Sequence, residues 1–427
     1  MQLGLHLVFG TAHVSFALDN GLARTPPMGW LSWERFGCQT DCSTFPNRCI
    51  SEVLYTDMAD KLVELGLAEV GYQYVNIDDC WSERVRSVDG GLREDPDRFP
   101  SGMKALSDHI HSLGLKFGMY TDIGSKTCGG YPGLSGGFLD SDIRQFVEWE
   151  IDALKVDGCY ANVSDMSGLY SALGDVLNST GRPILYSCSW PAYQTDHCEN
   201  EADMETLKSK CNLWRNWDDI EDSWSSVRSI IEFWARKSST DIMVASAGAG
   251  HWNDPDMLVV GNPGLSISEQ RAQFAFWAIF AAPLYISADL RTIPPESLEI
   301  LKNEEVVNIN QDALGLQGFV LSSDHNRRIW VRPLSASSDG YERVAILFEN
   351  KSSIFGSVRF QFTVAQLGWT TNGGTYSVRD VHSRSDKVLN APIIEPFVVD
   401  VEESSVELFI FTRRASSGDD LAVVETI

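Results

Sequence analysis

Basic residues are scarce in this chain of 427 residues, where 34 Lys and Arg stand against 59 Asp and Glu and the formal net charge is −25 at pH 7. Such an acidic surface repels nucleic acid and anionic membranes, so neither is expected as a partner. Beyond the N-terminus there is no run of about 18 or more apolar residues, so no membrane-spanning helix is predicted. The charge suits an acidic compartment, in which some carboxylates are protonated; an acidic surface kept for solubility is the alternative.

Charged residues are missing from residues 1–17, which end in the small-x-small pattern Ser15-Phe16-Ala17. We interpret this segment as a secretory signal peptide cleaved after the alanine, although it lacks a basic start. A buried N-terminal strand is the alternative. Three sequons agree with the secretory pathway and predict glycosylation at Asn162, Asn178 and Asn350.

No cysteine follows residue 211, and the nine cysteines at 38, 42, 49, 80, 128, 159, 188, 198 and 211 match no zinc pattern with paired histidines. In a secreted chain these cysteines favour disulfides, and their odd number leaves one thiol free. Their spacing alone does not decide which of them pair.

A G-x-G-x-x-G loop is also missing from the first strand–helix unit, which disfavours the runner-up fold, an open doubly wound sheet. Between about residues 28 and 308, short apolar runs alternate with amphipathic stretches such as 55–71, 103–115 and 223–237. Eight strand-then-helix units predict a (β/α)₈ TIM barrel. The predicted strands are 28–33, 74–79, 117–122, 153–158, 184–190, 213–219, 242–248 and 284–290.

After about residue 310 the pattern changes to alternating strands separated by turn residues, which indicates an antiparallel β-sandwich. Its predicted strands are 327–333, 343–350, 357–364, 375–383, 396–401 and 406–412. We therefore predict an α/β chain with four parts, namely a signal peptide (1–17), a barrel (18–310), an antiparallel β domain (311–413) and a flexible tail (414–427).

Polar side chains lie at the ends of the predicted strands, and in a barrel these ends converge on one mouth. The acids among them are Asp78, Asp79, Asp122, Asp157, Asp219, Asp254 and Asp256. The cations and rings are Lys155, Arg215, Trp33, Trp190, Trp217 and Tyr120. Carboxylates accept hydrogen bonds from hydroxyls and flat rings cover the apolar face of a pyranose, so the mouth is predicted to bind a sugar.

Glycoside hydrolysis needs one ionised carboxylate and one proton-donating carboxyl group. Asp157 lies two residues after Lys155, whose ammonium favours the ionised form that a nucleophile requires. Asp219 is the preferred proton donor, because crowding by other acids would raise its pKa. Asp218 and Asp222 in the same segment remain alternatives.

A divalent-metal site is the main rival hypothesis, because barrels often gather carboxylates around Mg²⁺. Against it, Lys155 and Arg215 already supply positive charge and no His-x-His pattern is present. We therefore predict no metal and no cofactor. A catalytically inactive, sugar-binding barrel is a more remote alternative.

Seven segments in order resemble the lysosomal α-galactosidase and α-N-acetylgalactosaminidase family, glycoside hydrolase family 27, over about residues 20 to 413. They are RTPPMGWLSWERF, NIDDCW, LKVDGCY, YSCSWPAY, WRNWDDIEDSW, GHWNDPDM and NQDALGLQG. The resemblance implies a barrel with a C-terminal β domain, a retaining double displacement through a covalent glycosyl-aspartate, no metal and a lysosomal homodimer.

The resemblance also implies individual roles, with Asp157 as nucleophile and Asp219 as acid/base. The implied sugar-binding residues are Asp78 and Asp79 at O4 and O6, Lys155 at O3 and O4, Trp33 and Tyr120 along the pocket, and Arg215 near the group on C2. The implied disulfides are Cys38–Cys80, Cys42–Cys49, Cys128–Cys159 and Cys188–Cys211, which would leave Cys198 free.

The segment YSCSWPAY carries the expected specificity. The resemblance implies that the α-galactosidase members have a Glu and a Leu where this chain has Ser189 and Ala192. The smaller residues would leave room for an acetamido group, with Ser189 donating to its carbonyl and Tyr193 packing against it. We therefore predict an exo-acting glycosidase that releases terminal α-linked N-acetylgalactosamine from glycolipids, glycopeptides and oligosaccharides; α-galactosidase activity, alone or in addition, is the alternative.

Overall fold

The computed structural model describes residues 20–194, 201–237, 241–352, 356–369 and 374–414. The predicted signal peptide, the predicted free Cys198 and all but the first residue of the predicted tail lie outside these ranges. No helix in the described ranges is both long and apolar enough to cross a membrane.

Eight parallel strands form the first sheet of the described chain, and each pairs with its neighbours in chain order. They are β1 (Met28–Leu31), β2 (Tyr74–Asn76), β3 (Lys116–Asp122), β4 (Ala153–Asp157), β5 (Leu185–Cys188), β6 (Leu213–Arg215), β7 (Trp252–Asp254) and β8 (Leu284–Ile286). Leu258, just beyond β7, closes the ring through a parallel bridge to Ile286, with backbone hydrogen bonds of 2.7 and 2.8 Å to β8 and its next residue. The predicted TIM barrel is confirmed.

Helices follow most of the strands and cover the outside of the barrel. They are α1 (Trp33–Phe36), α2 (Glu52–Glu64), α3 (Leu67–Val70), α4 (Met103–Ser112), α5 (Leu139–Glu148), α6 (Met166–Ser179), α7 (Glu201–Lys210), α8 (Trp224–Lys237), α9 (Asp241–Ser246), α10 (Ile267–Ile279), α11 (Pro295–Leu301) and α12 (Glu304–Asn310). In α2 the apolar residues Leu54, Met58 and Leu62 recur every four residues and are buried, as an amphipathic helix requires.

The predicted seventh strand was wrong. Residues 242–248 lie mostly in α9, and β7 is the segment Trp252–Asp254. A short apolar run does not distinguish a strand from a buried helical turn. The true strand, Trp252–Asp254, contains no apolar run, because two of its three residues are polar. One of them, Asn253, is buried with its hydrogen bonds made to other residues of the fold. The amide oxygen of Asn253 accepts hydrogen bonds from Trp214 at 2.8 Å and from Asn216 at 3.0 Å.

Two antiparallel sheets follow the barrel, of six and two strands in the described residues. Their strands are β9 (Phe319–Ser323), β10 (Arg327–Leu334), β11 (Tyr341–Asn350), β12 (Val358–Phe362), β13 (Thr375–Asp380), β14 (Ser385–Pro392), β15 (Phe397–Val401) and β16 (Val406–Arg414). Phe348 of the larger sheet packs against Phe360 and Phe397 of the smaller sheet, with ring centroids 5.3 and 6.0 Å apart. The predicted sandwich is confirmed, although β9 and β14 were missed; β14 is largely exposed and polar and therefore has no apolar alternation.

One face of the larger sheet joins the apolar core of the barrel, and the space between the two sheets is filled by a second, separate apolar cluster. Trp330 of β10 is fully buried and packs against Phe280, with ring centroids 5.3 Å apart. Arg332, also fully buried, donates hydrogen bonds to the backbone oxygens of Ala278 and Asn310. The domain boundary predicted at residues 310–311 coincides with the end of α12 and stays a prediction.

Four disulfides form within the described residues, and they join the pairs that the resemblance implies. They are Cys38–Cys80, Cys42–Cys49, Cys128–Cys159 and Cys188–Cys211. Two of them flank the mouth of the barrel, since Cys159 follows β4 and Cys188 ends β5.

The three predicted glycosylation sites differ in accessibility. Asn162 and Asn178 are exposed, as a glycan acceptor must be. Asn350 is only 4% exposed, and its amide nitrogen donates hydrogen bonds to the backbone oxygens of Gly356 and Val401 at 2.9 and 3.0 Å. The folded chain therefore has no room for a glycan on this nitrogen, and the structure argues against the predicted modification of Asn350.

Candidate active site

A cavity of about 290 Å³ lies at the C-terminal ends of the barrel strands. Its lining is Trp33, Asp78, Tyr120, Cys128, Lys155, Asp157, Cys159, Ser189, Ala192, Tyr193, Arg215, Trp217, Asp218 and Asp219. All the residues to which the resemblance assigns a role in sugar binding or cleavage, except Asp79, therefore meet in one place. Both predicted catalytic carboxyl groups open into this cavity.

Asp157 ends β4, and its carboxylate is held by donors on both oxygens. The hydroxyl of Tyr120 donates to one oxygen at 3.0 Å, and the hydroxyl of Tyr193 donates to the other at 2.5 Å. The backbone N–H of Gly158 adds a third hydrogen bond at 3.1 Å. Burial and the neighbouring Asp157 charge raise the pKa of the Tyr193 hydroxyl, so the phenol remains a donor. These bonds fix the orientation of a carboxylate that reaches the cavity.

Lys155 lies two residues before Asp157 on the same strand and pairs with Asp78, which follows β2. The Lys155 ammonium donates to an Asp78 oxygen at 2.7 Å. Burial opposes the charge of Lys155, but Asp78, Asp157 and Asp256 outweigh burial and raise the pKa of the ammonium. Burial raises the pKa of Asp78 to about 6, and Lys155 limits the rise. The pair therefore presents an ammonium and a carboxyl group to one side of the cavity.

Asp79 is not part of the cavity lining. It is 2% exposed, and its carboxylate accepts backbone hydrogen bonds from Cys80 and Gly129, both at 2.6 Å. In this structure Asp79 ties the loop after β2 to the loop that carries Cys128. Its predicted contact with the sugar stays a prediction.

Asp219 follows β6 and lies beside Arg215, which ends that strand. A terminal nitrogen of the guanidinium lies 3.0 Å from Asp219 and 3.1 Å from the buried Asp256. This charge lowers the pKa of Asp219, although partial burial opposes the effect. The expectation that neighbouring acids raise the pKa of Asp219 was wrong, because a cation and not an acid is its nearest charged neighbour.

The remaining acids predicted at the mouth lie beneath it or beside it. Asp122, which ends β3, is fully buried, and burial raises its pKa to about 8. Asp254, in β7, is 6% exposed, and burial raises its pKa to about 6. Asp218, an alternative proton donor, lines the cavity, whereas Asp222 does not. Of the two alternative proton donors, the structure therefore excludes Asp222 from contact with the cavity.

A single turn of 3₁₀ helix, Trp190–Tyr193, follows β5 and forms one wall of the cavity. Ser189 and Ala192 line this wall, and the N–H of Ala192 donates to the carbonyl of Ser189 at 3.2 Å. Trp190 does not reach the mouth as predicted. It is 1% exposed and stacks on Tyr170 beneath the wall, with ring centroids 6.4 Å apart.

Sequence reasoning missed several features of this site. The Cys128–Cys159 disulfide contributes both its sulfurs to the lining, and the Tyr193 hydroxyl lies 3.6 and 3.4 Å from them. Tyr193 was expected only to pack against a substrate, yet it donates to Asp157. No local pattern in the sequence indicates this contact, because residues 36 positions apart meet only in the folded barrel.

The donor groups of the mouth do not suit a divalent metal ion. Among the described residues, Asp122, Cys128 and Cys159 are close enough to share an ion, but the two sulfurs are joined in a disulfide and offer no thiolate. Asp78 and Asp219 already pair with Lys155 and Arg215. The predicted lack of a metal stays a prediction that a chelator can test.

Comparison with known proteins identifies the class of enzyme to which the chain belongs. The barrel, with its two carboxyl groups at a sugar-sized cavity, is a glycosidase. The profile of the family described as alpha galactosidase A matches residues 25–312. The chain belongs to this family, which is glycoside hydrolase family 27.

Relatives with known activities support the assignment. The chain is 47% identical to the alpha-N-acetylgalactosaminidase of Gallus gallus over 86% of its length and 88% of the relative. It is 46% identical to alpha-galactosidase A of Homo sapiens over 82% of its length and 80% of the relative. The crystal structure of alpha-galactosidase I from Mortierella vinacea, 30% identical, covers 92% of this chain and 98% of its own with a TM-score of 0.79.

Proposed function

We propose that this glycosidase is an exo-acting, retaining α-N-acetylgalactosaminidase. Its substrates would be glycolipids, glycopeptides and oligosaccharides that end in α-linked N-acetylgalactosamine. The observation that carries the proposal is the wall of small residues, Ser189 and Ala192, in the same cavity as Asp157 and Asp219. This wall leaves space for an acetamido group on C2, next to the two carboxyl groups that cleavage needs.

In the first step the ionised Asp157 attacks C1 of the sugar, and the bond from C1 to the glycosidic oxygen breaks. Asp219 transfers its proton to that oxygen, so the aglycone leaves as a neutral alcohol. The products are a covalent glycosyl-aspartate and an ionised Asp219. Tyr120 and Tyr193 support this step because they hold both oxygens of the nucleophile in place.

In the second step the ionised Asp219 removes a proton from a water molecule, whose oxygen attacks C1. The bond from C1 to Asp157 breaks, the sugar leaves with its original α configuration, and both aspartates return to their starting states. The cycle consumes one water molecule and needs neither a metal nor a redox partner.

The proton that Asp219 donates must come from an acidic medium, because Arg215 lowers the pKa of Asp219. The Asp219 side chain is 76% exposed before substrate binds. An aglycone that covers this carboxyl group excludes water from it, and loss of water raises the pKa of an acid. Acidic pH and the covering of Asp219 by the substrate therefore both favour the protonated form of its carboxyl group.

The other lining residues grip the sugar itself. Lys155 and Asp78 offer a donor and an acceptor to ring hydroxyls, and Trp33 supplies an apolar face. Arg215 binds near the group on C2, and Asp78 and Asp79 bind the O4 and O6 hydroxyls. We also propose passage through the secretory pathway to the lysosome and assembly as a homodimer.

An α-galactosidase is the second candidate, alone or as an additional activity, because human alpha-galactosidase A is almost as similar to this chain as the alpha-N-acetylgalactosaminidases. A cavity that accommodates an acetamido group also admits the smaller 2-hydroxyl group. The inactive, sugar-binding barrel remains the remote alternative.

Replacement of Asp157 by Asn tests the chemistry. We expect hydrolysis of a nitrophenyl α-N-acetylgalactosaminide to fall by at least about a thousandfold, since the nucleophile is lost. Treatment of the wild-type enzyme with EDTA should leave its activity intact. Full hydrolysis by Asp157→Asn would contradict the mechanism, and loss of activity in EDTA that Mg²⁺ restores would favour a metal site instead.

A further inference from the structure

The loop that carries Asp219 leaves the end of β6 and reaches the exposed rim of the mouth. Near Asp219 its backbone is tied at two points by carboxylates from other parts of the barrel. The N–H of Ile220 donates to Asp256 at 2.9 Å, and the N–H of Asp222 donates to Glu34 at 3.1 Å. An exposed acid/base has little packing of its own, so its position depends on such ties.

Glu34 lies in the short helix α1 and joins three loops at the mouth. One of its oxygens accepts the N–H of Asp222, and the other accepts the side-chain amide of Asn262 at 2.8 Å. That amide also donates to the carbonyl of Ser287 at 2.7 Å, beyond β8. Glu34 thereby anchors the loop after β6 to the loops after β7 and β8.

The loop after β6 and the loop after β7 pack too closely to move past each other. Asp222 accepts the N–H of Gly264 at 2.9 Å. A Cβ atom built on Gly264 would lie 1.9 Å from the backbone oxygen of Asp222, so only glycine fits. The segment from Asp219 to Asp222 is therefore held against the rim by two side chains, those of Asp222 and Glu34.

We propose that Glu34 is a positioning residue for Asp219: its carboxyl group holds the Asp219 loop where the proton reaches the glycosidic oxygen. Glu34 does not line the cavity and is not a catalytic residue. The proposal rests on the proposed function of Asp219 as acid/base. It adds Glu34 as a residue whose substitution weakens only one step, the protonation of the leaving group.

The surroundings of Glu34 also suit this role in an acidic compartment. Burial is the main cause that raises the pKa of Glu34 to about 7; the charges of Asp222 and Asp256 add to the rise, and the hydrogen bond from the Asp222 N–H and the charge of Arg35 oppose it. Below that pH the carboxyl group is neutral and does not repel Asp222. The anchor is then free of like-charge repulsion under the conditions in which the proton donor works.

Leaving groups of different basicity separate this role from a general structural one. A methyl glycoside needs its leaving oxygen protonated, whereas a 2,4-dinitrophenolate departs without a proton. The ratio kcat/KM reports the step up to glycosyl-enzyme formation, in which Asp219 acts only as an acid. Displacement of Asp219 should therefore slow the methyl glycoside selectively.

The experiment compares Glu34→Ala and Glu34→Gln with wild type on methyl and 2,4-dinitrophenyl α-N-acetylgalactosaminide at acidic pH. For Glu34→Ala we expect kcat/KM to fall about 10- to 100-fold on the methyl glycoside and less than about threefold on the dinitrophenyl glycoside. Glu34→Gln keeps an amide oxygen for the Asp222 N–H but turns its NH₂ toward the Asn262 amide donor, so its loss on the methyl glycoside should lie between those of wild type and Glu34→Ala. Glu407→Ala is the matched control, since burial also raises the pKa of this glutamate to about 7, but it lies in the β-sandwich.

An equal loss on both glycosides, or no loss on either, in a folded Glu34→Ala enzyme would overturn the proposal. If that variant does not fold, Glu34→Asp provides the same comparison, because the shorter side chain draws the carboxyl group away from Asp222. An unchanged ratio between the two glycosides in Glu34→Asp would also overturn it. Failure of wild type to hydrolyse either glycoside, or the corresponding galactosides, would instead refute the proposed function.

Discussion

The wall of small residues beside the nucleophile makes a quantitative prediction about specificity. Ser189→Glu together with Ala192→Leu should convert the preference of the enzyme from N-acetylgalactosamine toward galactose. Both positions line the cavity, and Ser189 is only 3% exposed, so the larger side chains must enter the space next to the sugar. The wall has little freedom to retreat, because Trp190 beneath it stacks on Tyr170 and the Cys188–Cys211 disulfide precedes it.

The size of the effect follows from two costs. Overfilling a well-packed site costs about 1–3 kcal/mol, and loss of a neutral hydrogen bond from Ser189 to the acetamido carbonyl costs about 1 kcal/mol. The sum of about 2–4 kcal/mol corresponds to a fall of about 30- to 1,000-fold in kcat/KM for the acetamido sugar. Galactose suffers neither cost, because its hydroxyl group is small and gains an acceptor in the introduced glutamate.

The assay is kcat/KM on nitrophenyl α-N-acetylgalactosaminide and α-galactoside for wild type, the double variant and Ala192→Leu alone. The single variant isolates the steric cost and should show part of the change. A substrate ratio in the folded double variant within about threefold of wild type would refute the assignment of this wall as the acetamido site.

Three further predictions concern the folded chain. The folded state keeps the proton of Asp122 up to about pH 8, whereas the unfolded state loses it near the ordinary pKa of 3.8. The midpoint of thermal unfolding should therefore fall as the pH rises from about 5 to about 7.5. The variant Asp122→Asn should make this fall smaller. Replacement of Cys128 and Cys159 by serine should lower the free energy of unfolding by about 3–4 kcal/mol in urea titrations, as expected for a closed loop of 31 residues. Mass spectrometry of glycopeptides should find glycan on Asn178 but not on Asn350, whose amide nitrogen is buried and hydrogen-bonded.

Each of these predictions has a clear contrary result. A thermal midpoint that rises between pH 5 and 7.5 would contradict the burial of protonated carboxyl groups. An unchanged urea midpoint in the serine variant would mean that the disulfide does not constrain the unfolded chain. A fully glycosylated Asn350 in active enzyme would contradict the packing of that side chain.

The sequence predicted those strands of the fold that a hydrophobic pattern marks. Seven of the eight barrel strands were predicted near their observed places, and the exception is instructive. The segment at 242–248 looked like a strand and is largely helix α9, whereas the true strand Trp252–Asp254 depends on buried hydrogen bonds that no periodicity reveals. Strand β14 was missed for a related reason, since exposed polar residues leave no pattern.

The sequence predicted which residues form the site better than it predicted their pKa values. Asp157 and Asp219 both reach the cavity, but the pKa of Asp219 is lowered by Arg215 and not raised by neighbouring acids. The contacts of Glu34 with Asp222 and Asn262 span about 190 and 230 positions in the chain, so they follow from the closed barrel and not from any local motif.

The most direct test of the central claim is kcat/KM of the wild-type enzyme on paired nitrophenyl α-N-acetylgalactosaminide and α-galactoside at acidic pH. We expect hydrolysis of both, with the acetamido sugar preferred, because Ser189 and Ala192 leave room for its acetamido group beside Asp157. A preference for galactose would contradict the role of the small wall, and hydrolysis of neither would contradict the proposed activity.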